Sequence, residues 1–392
     1  MRQLYDLMYG RKIVIFTGCF GCIAVSFWTS FSTTIESFIV AKGFDGFFIF
    51  FLTMGTFPYI MEITGSKWRS RVNTVFGCGY AVGEMLLSWP FAFYLKNWHD
   101  LHFAITFLMF PAALISFFLP ESYRWLISQN KIAKAENIVI SIALKQNNLN
   151  HDEKVQIKEI VEQIARNSQI NLTKTSTVKK AGIFDIFLFE KIRSISLFFM
   201  FVWFVNSFVY FGLALNAGGL PGTDITNNLI LATLEIPAYL LAPIFIDNRK
   251  IGRKLYMAYG TLLGGICCVL SAVFLEYKSC ETNVQEVFGV VLAYLGKFFI
   301  TGTFGVVYIH TTEAYSADVR PLALGICGVA ARVGGVLAPF VLSTDNIATW
   351  LPGIIFGVIG ILGGLAGFWL PETLGLPMLS TIEEAEDYYS KK

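Results

Sequence analysis

Six ionisable side chains lie inside long apolar stretches of this 392-residue sequence. A charge at the centre of a lipid bilayer costs roughly 2.5–3.5 kcal/mol on insertion scales, so such a side chain must face protein or a water-filled cavity. Acids and bases in such places can hold ions of opposite charge. The pattern therefore predicts an ion-binding site rather than bond chemistry, and the six residues are Lys42, Asp45, Glu84, Glu235, Lys297 and Arg332.

The composition indicates that lipid surrounds the chain. Hydrophobic residues make up 55% of the sequence and charged residues only 15%, against about 25% charged in soluble domains. Ten apolar runs approach the length of about 20 residues that crosses a bilayer, and backbone groups in lipid must bond within a helix. We predict an all-α, polytopic membrane protein with about ten transmembrane helices, at 13–32, 37–61, 70–95, 102–119, 194–216, 226–246, 255–275, 287–309, 321–343 and 350–370.

Lysine and arginine set the sidedness, because cytoplasmic loops carry an excess of both. With the N-terminus inside, the cytoplasmic segments hold 25 of the 30 basic residues, whereas the outer loops hold only Lys96 and Lys278. We therefore predict that both termini are cytoplasmic. The basic residues follow this topology and form no patch for nucleic acid.

Local patterns repeat between the two halves of the chain. Residues 62–69 match 313–320, and residues 119–122 match 370–373, both at an offset of 251 residues. Asp6 with residues 10–12 matches Asp247 with residues 252–254. Transporters are commonly built from such duplicated halves. We divide the chain into an N-terminal bundle of about four helices (1–120), a cytoplasmic segment with short helices (121–193), a six-helix bundle (194–370) and a cytoplasmic tail (371–392).

The repeat is incomplete at its beginning. In the second half two predicted helices precede the Asp-Gly-Arg-Lys segment, but in the first half only nine residues precede Gly10. We expect either that Met1 is an internal methionine of a longer protein or that the chain is a truncated product.

Together these segments resemble the major facilitator superfamily, and within it the organic cation, organic anion and carnitine transporter family. That family usually has twelve helices, two more than are predicted here. Lys42 stands in place of its arginine in the fourth helix, and Tyr123 in place of a proline. The matching stretches are 120–129, 207–216, 235–239, 296–298, 308–320, 330–340 and 370–373 with 381–383.

The resemblance implies that Arg332 and Glu235 line the central cavity. An arginine fork binds a carboxylate through two N–H bonds, and an acid can hold an ammonium group. The alternatives are that Arg332 tethers a neighbouring helix and that Glu235 pairs with Arg332 or Lys297. One acid and one base suit a zwitterion such as carnitine, and a plain organic anion is the close rival.

Further side chains complete the predicted binding set. Lys297 either anchors an anion or forms a structural ion pair, and aromatic faces can attract a quaternary ammonium. The aromatic candidates are Tyr210, Phe211, Tyr239 and Tyr308, and the alternative is that their rings only pack between helices. Lys42 and Asp45 are three residues apart and are expected to pair for structure. Burial disfavours the ionised form of Glu84, which has no evident local partner.

Charged residues at the cytoplasmic helix ends form a second predicted set. In the superfamily such residues make ion pairs that latch the cytoplasmic side while the site opens outward, as alternating access requires. The alternative is that they only anchor the topology. The predicted latch residues are Asp6, Arg11, Glu62, Arg69, Asp247, Arg253, Glu313 and Arg320.

We therefore expect a secondary transporter that carries small organic ions across the plasma membrane and needs no cofactor or metal. The sequence contains no phosphate-binding loop of the Walker type and no evident catalytic triad, so no enzyme is predicted. It does not identify a coupling ion. The alternative is a truncated, non-transporting membrane protein that is degraded or that regulates a full-length relative.

Overall fold

The computed structural model describes residues 2–64, 68–88, 94–95, 97–128, 131–146, 155–163, 185–276, 284–316, 319–376 and 382–391. Within these ranges every regular element is a helix, which confirms the all-α prediction. The helices are α1 (Arg2–Ser30), α2 (Ile35–Ile63), α3 (Arg69–Leu86), α4 (Trp98–Phe118), α5 (Tyr123–Ser128), α6 (Ile132–Gln146), α7 (155–163), α8 (Asp185–Leu188), α9 (Glu190–Leu215), α10 (Asp224–Ile246), α11 (Gly252–Glu276), α12 (Val284–Ala314), α13 (Arg320–Leu342), α14 (Leu351–Gly367) and α15 (Ile382–Ser390).

Eight helices of the described chain are long and apolar enough to cross a membrane. They are α1, α2, α4 and α9 through α13. The other two predicted spans coincide with α3 and α14. Helix α3 carries Arg69, Arg71 and Glu84 within 18 residues, which lowers its hydropathy, and the apolar helix α14 has only 17 residues.

The chain forms two compact units, and each is described by itself. Unit 1 comprises Met1–Val72 and Phe91–Lys179, and unit 2 comprises Asn73–Pro90 and Lys180–Lys392. In unit 1, α1 packs against α2 and α4, and a separate apolar cluster joins α5 to α6. The division at 120, 193 and 370 stays a prediction.

Unit 2 contains the charged residues of the predicted binding set. Helix α11 packs against α12 and α14, α9 against α12, α13 and α14, and α10 against α12. A Cβ atom at Gly265 would meet the backbone of Gly360 and Ile361. Glycine at this position therefore allows α11 and α14 to approach closely, as small residues do between membrane helices.

The C-terminal helix α15 is fastened to the rest of unit 2. The Glu386 carboxylate accepts hydrogen bonds from the backbone N–H groups of Lys191 and Ile192, each at 2.9 Å. These groups lie in the first turn of α9, which lacks intrahelical partners for its amides. At the other end of α15, the Tyr389 hydroxyl donates to the carbonyl of Ala314 at 2.8 Å.

Candidate functional site

A buried ion pair forms the centre of the candidate site in unit 2. Glu235 of α10 and Lys297 of α12 have side chains that are 0% and 1% exposed, and Lys297 Nζ lies 2.8 Å from Glu235 Oε1. The Tyr210 hydroxyl, from α9, donates to the same oxygen at 2.6 Å. Lys297 Nζ also lies 3.3 Å from the centroid of the Tyr210 ring. The structure thus brings three of the predicted binding residues into contact.

This arrangement answers which base pairs with Glu235. The sequence left Lys297 and Arg332 as alternatives, and Lys297 is the partner. Burying two charges is costly, and their mutual attraction offsets the cost only with good geometry and further hydrogen bonds. Among the described residues both Glu235 Oε2 and Lys297 Nζ are buried atoms that make no hydrogen bond of normal geometry. The pair therefore retains hydrogen-bonding capacity on both its acid and its base.

Helix α3 adds Tyr80 and Glu84 to this cluster within unit 2. The Glu84 carboxyl lies within electrostatic range of Glu235, Lys297 and the hydroxyl groups of Tyr80 and Tyr210. The sequence predicts Glu84 to be a charge within a membrane helix, but the predicted binding set contains neither of these α3 residues. No short-range spacing connects α3 to α10 and α12, because the contact is tertiary.

The remaining predicted aromatic residues surround the cluster. Tyr239 is buried. Glu235, Glu84 and Tyr308 lie within electrostatic range of its hydroxyl group. Tyr308 meets the ring of Trp203 at a centroid distance of 4.4 Å. The Phe211 ring is 36% exposed and meets Tyr210 edge to face at 5.3 Å. Phe211 is thus one of the more accessible aromatic groups in the predicted set.

Arg332, in α13, lies beside Tyr308 rather than in the Glu235–Lys297 pair. Its Nη1 donates to the carbonyl of Gly328 at 2.8 Å, one turn earlier in its own helix. It also interacts electrostatically with Tyr308, which in turn interacts with Tyr239. Arg332 is exposed in this structure, whereas the side chains of Glu235 and Lys297 are buried.

One predicted structural pair is confirmed. Lys42 Nζ lies 3.3 Å from Asp45 Oδ2, three residues apart on α2. The Lys42 side chain is 37% exposed, so the pair belongs to the surface of unit 1. It provides a charge pair outside the candidate binding set.

A charged network at the start of the long part of α1 contains two predicted latch residues. Arg11 Nη2 and Nε lie 2.9 Å and 3.2 Å from Glu62 Oε1, and Ser122 Oγ donates to Glu62 Oε2. The Glu121 carboxylate accepts the backbone N–H groups of Arg11 and Lys12 at 2.8 Å and 3.3 Å. This network joins α1, α2 and the segment after α4.

Unit 2 contains the same network at the start of α11. Arg253 Nε lies 3.1 Å from Glu313 Oε2, to which Thr373 Oγ1 donates at 2.8 Å. The Glu372 carboxylate accepts the N–H groups of Arg253 and Lys254 at 3.0 Å and 3.1 Å. The two networks therefore correspond residue by residue, as the sequence repeat indicates.

The glycine before each arginine makes room for the capping carboxylate. Gly10 and Gly252 have φ values of 80° and 65°, a left-handed conformation that suits glycine. A Cβ atom at either position would clash with the carboxylate of Glu121 or Glu372. Both glutamates lie in the repeated segments 119–122 and 370–373, for which no capping role is predicted from the sequence. Their position beside the Gly-Arg-Lys segments in both halves was the signal that could have assigned one.

The Glu372 carboxylate illustrates the electrostatics of these caps. Burial opposes its ionisation, but the N–H groups of Leu374, Arg253 and Lys254 outweigh burial and lower the pKa of Glu372 below its usual 4.5. A carboxylate that accepts several backbone N–H groups is stabilised in its charged form. Glu372 is therefore held as an anion over the first turn of α11.

The other predicted latch residues have different positions. Asp247 Oδ1 lies 3.4 Å from Arg253 Nη2 and joins the unit 2 network. Arg320 Nη2 donates to the carbonyl of Tyr315 at 3.1 Å. The side chains of Asp6 and Arg69 lie outside the described residues.

A further duplicated contact was absent from the sequence prediction. The Tyr59 hydroxyl donates to the carbonyl of Pro120 at 2.8 Å, and His310 Nε2 lies 2.7 Å from the carbonyl of Pro371. Tyr59 and His310 are separated by the same 251 residues as the repeated segments. The proline carbonyl is thus held in both halves by different side chains, which is why residue identity did not reveal the match.

Comparisons with known proteins agree with this architecture. Residues 4–385 match the family described as Sugar (and other) transporter. The solved structure of XylE, titled a proton:xylose symporter of the major facilitator superfamily, aligns with a TM-score of 0.72 at 17% identity, covering 98% of this chain and 85% of that one. At this identity the likeness shows the fold alone. Fold and family profile together define a major facilitator transporter.

Curated relatives identify the family within that class. The chain is 32% identical over 381 residues to "Solute carrier family 22 member 15-like" of Xenopus laevis, covering 96% of this chain and 73% of the relative. It is 31% identical over 394 residues to "Organic cation transporter protein" of Drosophila melanogaster, covering 99% and 68%. "Organic anion transporter 3" of Oryctolagus cuniculus is 28% identical over 387 residues, covering 98% and 68%. The chain belongs to solute carrier family 22, the organic anion and cation transporters.

This membership confirms the resemblance found in the sequence. The chain is a multi-pass membrane protein of a family that transports small organic ions, and its relatives are transporters rather than enzymes. The comparisons indicate no nucleic acid partner.

Proposed function

We propose that this chain carries small organic ions across the plasma membrane by alternating access, with both termini in the cytoplasm. The observation that carries the proposal is the Glu235–Lys297–Tyr210 cluster, whose charges lie near the middle of two membrane-length helices. Ionisable residues at that depth are expensive and mark ion or substrate pathways in membrane proteins. Family membership supports the same conclusion.

The proposed substrate is a zwitterion such as carnitine or an organic anion. In this proposal the Arg332 fork binds the carboxylate, and Glu235 receives an ammonium group once Lys297 moves aside. Tyr210, Phe211, Tyr239 and Tyr308 would supply aromatic faces for a quaternary ammonium. A plain anion needs only Arg332 and leaves the Glu235–Lys297 pair intact.

The two Arg–Glu networks are proposed to act as latches at the cytoplasmic ends of the helices. Arg11 with Glu62, and Arg253 with Glu313, connect helix ends through ion pairs that can open and reform. Asp6, Arg69, Asp247 and Arg320 complete the proposed set. Their duplication at equivalent positions of a repeated sequence supports a shared role in opening and closing.

The substitution Arg332→Asp tests the substrate site. We expect it to abolish uptake of carboxylate-bearing compounds, because an acid in place of the guanidinium repels the carboxylate that Arg332 would bind. The measurement is uptake of labelled carnitine and of hippurate by cells that express the chain, normalised to the amount at the cell surface. The double variant Lys42→Gln/Asp45→Asn removes a charge pair outside the binding set and should retain uptake.

Two results would contradict this proposal. Undiminished uptake by Arg332→Asp would remove Arg332 from the binding site. If the unaltered chain reaches the surface and takes up no organic anion, cation or zwitterion, transport itself is refuted and the non-transporting alternative is favoured.

A further inference from the structure

The Glu235–Lys297 pair is closed off from water in this structure. The two side chains are 0% and 1% exposed, and Tyr210, which bonds to Glu235, is buried as well. Binding of an organic ion by this pair therefore requires some part of unit 2 to move away from it.

The ring of Tyr239 lies one turn beyond Glu235 on α10, between α3 and α12. A Cβ atom at Gly77 of α3 would lie 2.7 Å from Tyr239 Cδ1, and a Cβ atom at Gly305 of α12 would lie 3.0 Å from Tyr239 Cε1. Both separations are shorter than the roughly 3.5–4.0 Å of a favourable carbon–carbon contact. The ring therefore fits only because both neighbouring residues lack a side chain.

On α10 the ring stands between the ion pair and the charged network at the start of α11. Tyr239 follows Glu235 by four residues and precedes Ile246 by seven. The carbonyl of Ile246 accepts a hydrogen bond from Arg253 Nη1 at 2.7 Å. The ring thus lies on the side of the pair that faces the network.

The position of Gly305 on α12 gives the same result. Gly305 follows Lys297 by eight residues and precedes Glu313 by eight, which is about 12 Å in each direction at a rise of 1.5 Å per residue. A group that moves from the pair toward the Arg253–Glu313 network along these helices therefore meets the Tyr239 ring.

Helix α3, which forms one wall beside the ring, is weakly attached. Among the described residues, none of the extensive helix packings of unit 2 involves α3. Asn73 Nδ2 donates to the carbonyl of Gly305 at 3.3 Å, longer than the roughly 2.7–3.2 Å of most such bonds. A segment with few packing contacts is the part of a fold that opens most readily.

The glycine walls favour motion as well as closeness. Interdigitated side chains must change rotamers before two helices can separate. A ring that rests on the backbone of Gly77 and Gly305 needs no such change in its neighbours. Helix α3 can therefore leave the ring and return to it without repacking the helix faces on which the ring rests.

We propose that Tyr239 is a gate residue, whose ring closes the route between the Glu235–Lys297 pair and the Arg253–Glu313 network and is released when α3 moves away. The inference rests on the proposed transport function and assigns a moving contact within it. Gly77 acts as a positioning residue, because it touches the ring and holds no substrate. With both termini in the cytoplasm, the gate closes the cytoplasmic exit.

Alkylation of a cysteine on the buried face of α3 tests the gate without transport. Thr74 lies three residues before Gly77 on the same helix face and is 8% exposed, whereas its neighbour Val75 is 71% exposed. We expect Thr74→Cys to react slowly with N-ethylmaleimide while α3 covers the ring. Val75→Cys reports the other face at the same depth.

The protein is reconstituted in lipid nanodiscs for this measurement. Peptide mass spectrometry identifies each labelled cysteine, so the native cysteines need no replacement.

Gly77→Ala should hold the gate open. The added methyl group overlaps the Tyr239 ring, so we expect Thr74→Cys to react severalfold faster in this background and Val75→Cys to react at an unchanged rate. Gly79→Ala is the matched control, since a Cβ atom at Gly79 meets no atom within 4 Å. It makes the same glycine-to-alanine change in the same helix and should alter neither rate.

Equal rates in the two alanine backgrounds would overturn the gate. If Gly77→Ala does not fold, Asn73→Ala provides the test, because it removes the hydrogen bond to Gly305 and adds no atom beside the ring. Thr74→Cys should then react roughly two- to tenfold faster, the effect of one net hydrogen bond on an opening equilibrium. An unchanged rate would show that this contact does not hold α3 closed.

A comparison of binding with transport separates a gate from a packing contact. Gly77→Ala should lower the uptake of labelled carnitine or hippurate by proteoliposomes severalfold, because the route no longer closes. Binding of the same compound to the purified variant, measured by calorimetry, should persist. If binding and uptake fall together, Gly77 supports the fold alone and the gate is refuted.

The outcomes also separate the gate from the transport function. If the unaltered chain takes up a probe and Gly77→Ala behaves like Gly79→Ala in labelling and in uptake, the gate is refuted and the transport function stands. If the unaltered chain takes up neither carnitine nor hippurate nor any other organic ion, both are refuted.

Discussion

At the scale of single residues, the Glu235–Lys297 contact explains how unit 2 tolerates charge at membrane depth. Each side chain is at most 1% exposed, so neither can be stabilised by bulk water. Their pairing, together with the Tyr210 hydroxyl, replaces part of the hydration that both groups lose. The same contact also creates the acid and base that an organic ion could displace.

This pair predicts strongly non-additive mutations. Lys297→Met should lower the free energy of unfolding by about 3–5 kcal/mol, since it leaves a buried carboxylate unpaired. The double variant Lys297→Met/Glu235→Gln should recover most of that loss, because it removes both charges. Thermal unfolding in detergent micelles measures both values, arranged as a double-mutant cycle.

Lys42→Met serves as the control for this cycle. Its ammonium pairs with Asp45 but is 37% exposed, so the expected loss is below about 1 kcal/mol. Equal losses from Lys42→Met and Lys297→Met would show that burial does not set the strength of the Glu235–Lys297 pair.

The individual site residues could be predicted from sequence more readily than their contacts. Apolar flanks identified Glu235, Lys297 and Arg332 as charges within membrane helices, and that required only local information. The choice of Lys297 over Arg332 as the partner of Glu235 depends on how α10 packs against α12. Local sequence does not contain that packing. For the same reason it does not show that Glu84 on α3 lies within electrostatic range of the Glu235–Lys297 pair.

At the scale of helices, the starts of α11 and of the long part of α1 share one design. A glycine with positive φ ends the preceding segment, and a distant glutamate caps the new helix through two backbone N–H groups. The capping carboxylate satisfies amides that have no partner within the helix and lies at the positive end of the helix dipole.

This arrangement predicts that alanine lowers the free energy of unfolding by different amounts at two glycines. Gly252 and Gly375 both have positive φ, 65° and 77°, but only Gly252 faces a carboxylate, and a Cβ at Gly375 meets no atom within 4 Å. Gly375→Ala should lower the free energy of unfolding by about 1–2 kcal/mol, from backbone strain alone. Gly252→Ala should lower the free energy of unfolding by a larger amount, because Glu372 must also move away from the N–H groups that it caps.

Chemical or thermal unfolding of the two alanine variants measures this difference. If Gly252→Ala is no more destabilising than Gly375→Ala, the capping carboxylate contributes little to the stability of unit 2.

Helix positions followed well from hydropathy, with two informative differences. The apolar runs at 70–95 and 350–370 lie over α3 and α14. Helix α3 is less apolar than the eight membrane-length helices, and the apolar helix α14 is shorter than they are. Helix α3 combines Arg69 and Arg71 at its start with Glu84 near its end. A helix that carries several charges is less apolar, and its boundaries are correspondingly harder to predict from composition.

At the scale of the whole molecule, the duplicated sequence segments correspond to duplicated contacts. The Arg–Glu pairs, the capping glutamates and the contacts to Pro120 and Pro371 all recur at matching positions of the chain. A repeat of this kind is readable in sequence when the residues are the same. It is hidden where Tyr59 in one half is replaced by His310 in the other.

The stability of the molecule in acid should depend on Glu372. Its pKa is lower in the folded chain than the usual 4.5, so its contribution to stability is fully present above that value. The contribution is lost as the pH falls below 4.5 and through the lowered pKa, because the unfolded chain binds the proton first. We expect Glu372→Gln to be less stable than the unaltered protein at pH 6.

Melting temperatures between pH 6 and pH 3 test this expectation. The difference between the unaltered protein and Glu372→Gln should shrink as the medium becomes more acidic. A difference that stays constant over this range would show that the Glu372 charge does not stabilise the fold.

The attachment of α15 has a consequence for how the polypeptide matures. Glu386 follows Lys191 by 195 residues, and at about 5–20 residues per second the ribosome needs roughly 10–40 s to make that interval. Throughout that time the amino end of α9 is already synthesised while its carboxylate partner does not yet exist. Assembly of unit 2 is therefore completed only after its membrane helices have been translated. A premature stop codon before α15 would leave the first turn of α9 without the Glu386 carboxylate.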